Sequence, residues 1–228
     1  MAYGYEINDM AKEESWRLFR IMGELVEGFD TLSGIEPAIS IYGSARIKAN
    51  NQLYTQTVEI AKRLGELGFN IITGGGPGIM EAANKGAAEA NVVSIGLNIE
   101  LPEPQPFNTY ANRSITFHHF FVRKVMLVKY ATAFVIFPGG LGTLDELTEV
   151  LTLIQTHKMR PFPVILYDES YWSGFMQWLK DFSLARDMIT PDDFDLVRIA
   201  ATPDEVIETV QKWYIKQEIV GRKFLVPK

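Results

Sequence analysis

Ala133-Phe134-Val135-Ile136-Phe137-Pro138-Gly139-Gly140-Leu141-Gly142-Thr143-Leu144-Asp145-Glu146 is the segment that decides the fold. Ala133 to Phe137 is an unbroken apolar run, short for a helix and rich in β-branched and aromatic side chains, so it reads as a strand buried on both faces. Pro138 and three glycines then break the run, and apolar residues return at helical spacing to about Thr156. Strand, glycine-rich turn and helix in immediate succession form the repeating unit of a parallel α/β sheet, whose strands need a crossover helix to return.

The same unit recurs on either side. Upstream, Gly34 and Pro37 introduce a short β-rich run, Ala38 to Tyr42, that ends at Gly43; Tyr54 to Leu67 is helical in spacing, with Gly68 as its C-cap; Phe69 to Thr73 is a strand running into Gly74-Gly75-Gly76-Pro77-Gly78. There follow a small-residue helix from Ile79 to Ala90, a strand from Val92 to Leu97, a stretch interrupted by Pro102, Pro104 and Pro106, and a helix from about His118 to Tyr130. Downstream come a strand, Pro163 to Tyr167, a helix, Tyr171 to Leu184, an edge strand, Leu196 to Ala200, and a closing helix, Pro203 to Lys216, with Thr202 as N-cap. Ahead of everything, residues 10 to 29 place Trp16, Phe19, Met22 and Val26 mostly along one side of an amphipathic helix. The expectation is an α/β, Rossmann-like open parallel sheet with helices on both faces. Residues 1–36 are expected to form an N-terminal helical extension and 37–228 the Rossmann-like domain that would carry the ligand site. Ligands of such sheets bind at the carboxyl ends of strands, so the turns after Tyr42, Thr73 and Phe137 are the places to look.

Composition narrows the function. The chain has 228 residues, 47% hydrophobic and 22% charged, enough for one domain with a sizeable core. Its 22 Lys+Arg against 28 Asp+Glu give a net charge of −6, which argues against nucleic acid or an anionic bilayer as partner but allows a local pocket for one phosphate. The absence of cysteine excludes disulfides, thiolate nucleophiles and zinc–cysteine sites, and fits the reducing cytoplasm in which the chain is expected. Lys129 interrupts the most apolar region, and Glu6, Asp9, Glu13 and Glu14 stand where a signal peptide would be basic or apolar, so neither a spanning helix nor export is expected.

Seven of the 18 glycines fall in two windows, Gly74 to Gly78 and Gly139 to Gly142, each after an apolar strand and before a helix. Such a turn brings backbone N–H groups close to a phosphate at the positive end of a helix; glycine that merely permits positive φ is the alternative. Neither window is a dinucleotide fingerprint at the first βα turn, where Gly43-Ser44-Ala45-Arg46 stands, nor a P-loop. After the second window come Thr143 and Glu146, able to face the ligand or to close a capping box on each other. Arg123 and Lys124 lie on an aromatic-rich helix about 100° apart, so one can reach a site while the other faces solvent. His118-His119 and His157 lack the spacing of a metal motif, and no metal is expected.

Ser40-Ile41-Tyr42-Gly43-Ser44-Ala45-Arg46, the Gly74 to Glu81 turn, Arg123-Lys124 and the Pro138 to Glu146 element together resemble the LOG (Lonely Guy) family, the cytokinin riboside 5′-monophosphate phosphoribohydrolases long mislabelled as lysine decarboxylases. The resemblance covers about residues 36 to 185, and the flanking segments look like the longer bacterial branch of the family. It implies hydrolysis of the N-glycosidic bond of a purine nucleoside 5′-monophosphate, AMP or its N6-prenylated form, without cofactor or metal. Residue by residue, it implies Glu146 as the carboxylate beside the anomeric carbon and Arg123 as the catalytic arginine, against phosphate, ribose or base. Gly139, Gly140, Gly142 and Thr143 would hold the 5′-phosphate, with Gly43, Ser44, Gly74, Gly75, Gly76 and Gly78 lining the crevice and Lys124 among the substrate-binding residues. Thr152, nine residues past Thr143 and expected on a similar helix face, aligns with a hydroxyl of the substrate pocket. The 98 to 118 stretch is expected to build the base side. A decarboxylase would need pyridoxal phosphate on a lysine; Lys124 and Lys158 are available, but nothing else frames such a site. A non-catalytic carrier of a nucleotide or of molybdenum cofactor is the alternative function, and it would need the glycine turns but no carboxylate. The resemblance also implies at least a homodimer, consistent with apolar side chains on the 10 to 29 helix and the Thr143 to Thr156 helix.

Overall fold

A computed structural model describes residues 14–102 and 108–219; the start of the expected 10 to 29 helix, with Pro104 and Pro106, lies outside them. The strands are β1 (Ala38–Tyr42), β2 (Asn70–Thr73), β3 (Ser94–Ile99), β4 (Arg113–Phe117), β5 (Ala131–Ile136), β6 (Val164–Tyr167) and β7 (Val197–Ala200). All pair in parallel, in the order β4-β3-β2-β1-β5-β6-β7. The order reverses between β1 and β5. That switch point opens a crevice at the carboxyl ends of the two central strands.

Alternation along the strands divides the core into two layers. Tyr42, Phe134, Ile136, Val164 and Leu166 face one side, where they meet α4 (Phe120–Lys129), α5 (Leu141–Gln155), α6 (Glu169–Trp178) and residues of α1 (Glu14–Thr31). Ile39, Ile41, Val135, Phe137 and Ile165 face the other, under α2 (Gln52–Glu66), α3 (Ile79–Glu89) and α7 (Pro203–Ile219). The open parallel sheet covered on both faces is therefore as the apolar pattern predicts.

Three local details differ from that pattern. β4 hides in the proline-interrupted stretch because an edge strand buries one face only: Ile115 and Phe117 point inward while Ser114 and Thr116 are exposed. Pairing with β4 draws β3 on to Ile99, through Asn98↔Thr116 and Ile99↔Phe117. At its other end β3 begins at Ser94, and Val92 instead packs against α2 beside Gly65. The Tyr171 to Leu184 helix is α-helical only to Trp178 and continues as a π-helical turn, Leu179–Ser183, and a 3-10 turn, Leu184–Arg186.

Candidate active site

Three strand-to-helix turns meet at the switch point. The backbone N–H of Ser44, after β1, donates to Pro138 O after β5 at 3.0 Å, and the N–H of Ile79, at the start of α3, donates to Ser44 O at 3.1 Å. Glycine is required where they touch: Gly78 has φ +70°, and a Cβ on it would press into the Ser44 carbonyl and the Ala45 backbone. Gly43 lies against Ile79, and Gly139 against the Thr143 side chain. Gly140 and Gly142 border open space. The N-caps of α3 and α5 are Gly78 and Gly140, so no side chain caps either helix; Ser44 O takes the Ile79 N–H of α3, while the first N–H groups of α5 remain available to an anion. Thr143 falls inside α5 as a buried residue, and the capping box with Glu146 does not form.

Arg123 and Glu146 come together in this crevice. Arg123 leaves α4 and lays its guanidinium over the Cα of Gly74, where any side chain would collide with it. Its Nη2 stands 3.8 Å from Glu146 Oε1, and the two side chains are 12% and 19% exposed. Burial lifts the Glu146 carboxyl from 4.5 to about 7, with Arg123 pulling the other way. Burial also lowers the Arg123 pKa, and its Nε is buried without a partner among the described residues. A buried guanidinium with an unused donor is suited to an anionic or strongly accepting ligand group.

Lys124 diverges from its neighbour. Its Nζ is 2.9 Å from Asp145 Oδ1 and 3.4 Å from Glu149 Oε2, so it ties α4 to α5 on the flank of the site. Burial lowers its pKa, but the two carboxylates prevail and the net shift is upward. The side-chain oxygen of Ser44 accepts the Arg46 N–H at 3.1 Å, and Gly75 N–H donates to Thr73 Oγ1 at 3.0 Å. Gly76 is buried in the same turn. Thr152 is not on the face of Thr143: nine residues at about 100° each bring it half a turn away. It is exposed, donates to Thr148 O at 2.7 Å, and lines a groove of about 150 Å³ between α5, α6 and the 3-10 segment Pro191–Leu196.

Three further side chains border the site. Tyr42 closes β1 beneath the pair; burial, followed by the charge of Glu146, raises its phenol. Asn98 sets its side-chain amide against Gly75. Tyr171 donates its hydroxyl to Gly139 O at 2.6 Å from the first turn of α6. Tyr42 was marked by its position before the first βα turn, whereas nothing in the sequence distinguishes Tyr171 from any helical aromatic. Neither lysine suits a Schiff base with pyridoxal phosphate, because two carboxylates hold Lys124 and Lys158 is exposed beyond the carboxyl end of α5.

Residues 80–210 match the family model described as possible lysine decarboxylase. The chain belongs to the LOG/lysine decarboxylase-like family. Within it, the chain is 32% identical over 151 residues to a pyrimidine/purine nucleotide 5′-monophosphate nucleosidase of Escherichia coli K12, a match covering 62% of the chain and 33% of that protein. The chain thus spans about a third of that relative's length. It is also 25% identical over 166 residues to the rice cytokinin riboside 5′-monophosphate phosphoribohydrolase LOG, covering 71% of the chain and 67% of the rice protein. Among solved structures, the molybdenum cofactor binding protein of Rippkaea orientalis has a TM-score of 0.58 at 23% identity, over 80% of this chain and 99% of that one. That likeness is one of fold. No helix among the described residues is long and apolar enough to cross a membrane.

Proposed function

We propose that this LOG-family chain hydrolyses the N-glycosidic bond of purine nucleoside 5′-monophosphates, AMP, N6-prenylated AMP or both, to free base and ribose 5-phosphate. The observation that carries the reading is the buried Arg123–Glu146 pair set between two helix N-termini that no side chain caps. The 5′-phosphate sits against the first N–H groups of α5, with Gly139, Gly140, Gly142 and Thr143 around it, and the α3 turn borders the same crevice. Breaking the C1′–N9 bond sends its electron pair to the base and leaves oxocarbenium character on the ribose. The Glu146 carboxylate stabilises that charge and accepts a proton from the water whose oxygen bonds to C1′. Arg123 holds the negative charge of the phosphate or of the departing base, or donates hydrogen bonds to ribose oxygens.

The test is release of free base, followed by chromatography, from AMP and from isopentenyladenosine 5′-monophosphate without metal. Glu146→Gln is expected to lower turnover by about a thousandfold or more while nucleotide affinity changes little. Undiminished turnover in that variant would remove Glu146 from the reaction. Tight nucleotide binding with no base released from any purine monophosphate would instead favour the carrier.

We also propose a homo-oligomer. Along α1, Trp16, Phe19 and Val26 are 69%, 63% and 57% exposed, and Phe120, Phe121 and Val125 of the neighbouring α4 are exposed as well, more apolar surface than a lone domain ordinarily leaves in water.

A further inference from the structure

Glu24 lies on α1, between Ile21 and Leu25, which pack on the core. Its carboxylate is 11% exposed, a costly position for a charge unless it is paired. Its partners are all at the start of α4. Glu24 Oε2 accepts the backbone N–H of His119 at 3.3 Å, Oε1 is 2.9 Å from His119 Nδ1, and the same Oε1 is 3.4 Å from His118 Nδ1. His118 Nε2 in turn meets Glu100 Oε2 at 2.8 Å. His119 is the N-cap of α4 and gives that helix no side-chain cap. Its carbonyl accepts the first helical hydrogen bond, 3.2 Å long, and the donor is the N–H of Arg123.

A carboxylate from one helix therefore caps another, and the residue bonded to the capped position is the arginine of the candidate site. Further contacts hold α1 against α4 and against the start of β4. Gly28 approaches the Met126 side chain so closely that a Cβ would come within 2.7 Å of Met126 Cε, Lys129 lies over the Phe29 ring at 5.5 Å, and Arg113 donates to Thr31 O at 3.0 Å.

We propose that Glu24 is a positioning residue for Arg123: by capping α4 through His119, it fixes where the guanidinium stands relative to Glu146. Glu24 lies outside residues 80–210, so the capping carboxylate belongs to the segment preceding the family-matched region, while His119 and Arg123 lie within it. Its catalytic consequence rests on the function proposed above; the positional claim does not.

The experiment titrates the Glu146 carboxyl by carbon NMR in full-length protein, with Glu146→Gln for assignment, and repeats it in Glu24→Ala, in Glu24→Gln and in a control on the same helix, Glu27→Ala. Removing a distant negative charge by itself lowers the pKa of another carboxyl. Loosening Arg123 raises it, because the guanidinium at 3.8 Å favours the charged form. The expected result is an upward shift of about half a unit to one unit in Glu24→Ala, a smaller one in Glu24→Gln, which keeps an acceptor, and none in Glu27→Ala. The acid limb of kcat/KM moves with it, lowering kcat/KM about three- to tenfold at pH 6. A folded Glu24→Ala protein that titrates Glu146 at the wild-type midpoint, or below it, overturns the proposal. Should Glu24→Ala fail to fold, an unchanged midpoint in Glu24→Gln does so. Absence of base release from the wild type would count against the proposed function alone, since the titration needs no turnover.

Discussion

Glu146 carries a carboxyl that the fold holds at about 7, mainly by burial, with Arg123 limiting the rise. Two predictions follow at the level of this residue. If its carboxylate form serves the reaction, kcat/KM rises with pH and levels off above an apparent pKa near 7, a limb that a pH–rate profile measures directly. Its folded pKa also stands above the unfolded 4.5, so the native state binds the proton more tightly. Below 4.5 that contribution is fully present, and it is lost as pH rises to 7. Relative to Glu146→Gln, the wild type should therefore lose about 3 kcal/mol of unfolding free energy across that window, readable by denaturant titration at pH 4.5 and pH 8. Glu146 as the candidate carboxylate came from the resemblance carried by the Pro138 to Glu146 element. Its pKa was not legible in the sequence, because desolvation depends on α4 and β1, which approach from distant parts of the chain.

Turns and helices explain why some site residues were legible and others were not. Glycine at 74 leaves room for Arg123, and glycine at 78 leaves room for the Ser44 carbonyl, but the two constraints differ in kind. In Gly74→Ala the obstructing atoms are the ends of the Arg123 and Met80 side chains, which can move. The fold should survive while turnover falls roughly 10- to 100-fold, as expected for a misplaced catalytic group. At Gly78 the obstruction is backbone, and φ is +70°. Gly78→Ala should cost about 1–3 kcal/mol, lowering the melting temperature by roughly 2–4 °C per kcal/mol. Calorimetry and kcat on both variants separate the two cases. Helical periodicity established that Arg123 and Lys124 point apart, but the carboxylates that claimed Lys124 lie on α5, 21 and 25 residues away in sequence. The same periodicity, carried over nine residues, puts Thr152 on the opposite side of α5 from Thr143, as the structure has it.

The whole molecule is a three-layer α/β assembly whose N-terminal helix covers part of one layer and presents a largely apolar outer face. Trp16→Glu combined with Phe19→Glu is expected to reduce the mass measured by light scattering to that of a single chain, with the circular dichroism spectrum nearly unchanged because both side chains are already exposed in the isolated chain, and with a lower melting temperature because the stabilisation from association is lost. A wild-type monomer at micromolar concentration would count against the homo-oligomer. The sequence by itself determined the alternation of strands and helices, the parallel sheet and the two glycine turns at its carboxyl edge. These follow from local rules: apolar period, chain reversal, and the conformations open to glycine and proline. Tertiary structure decided the half-buried edge strand β4, the direction taken by Lys124, the Arg123–Glu146 contact and the pKa of Glu146. Each depends on which surfaces exclude water together, and that is fixed only when segments far apart in the chain have packed.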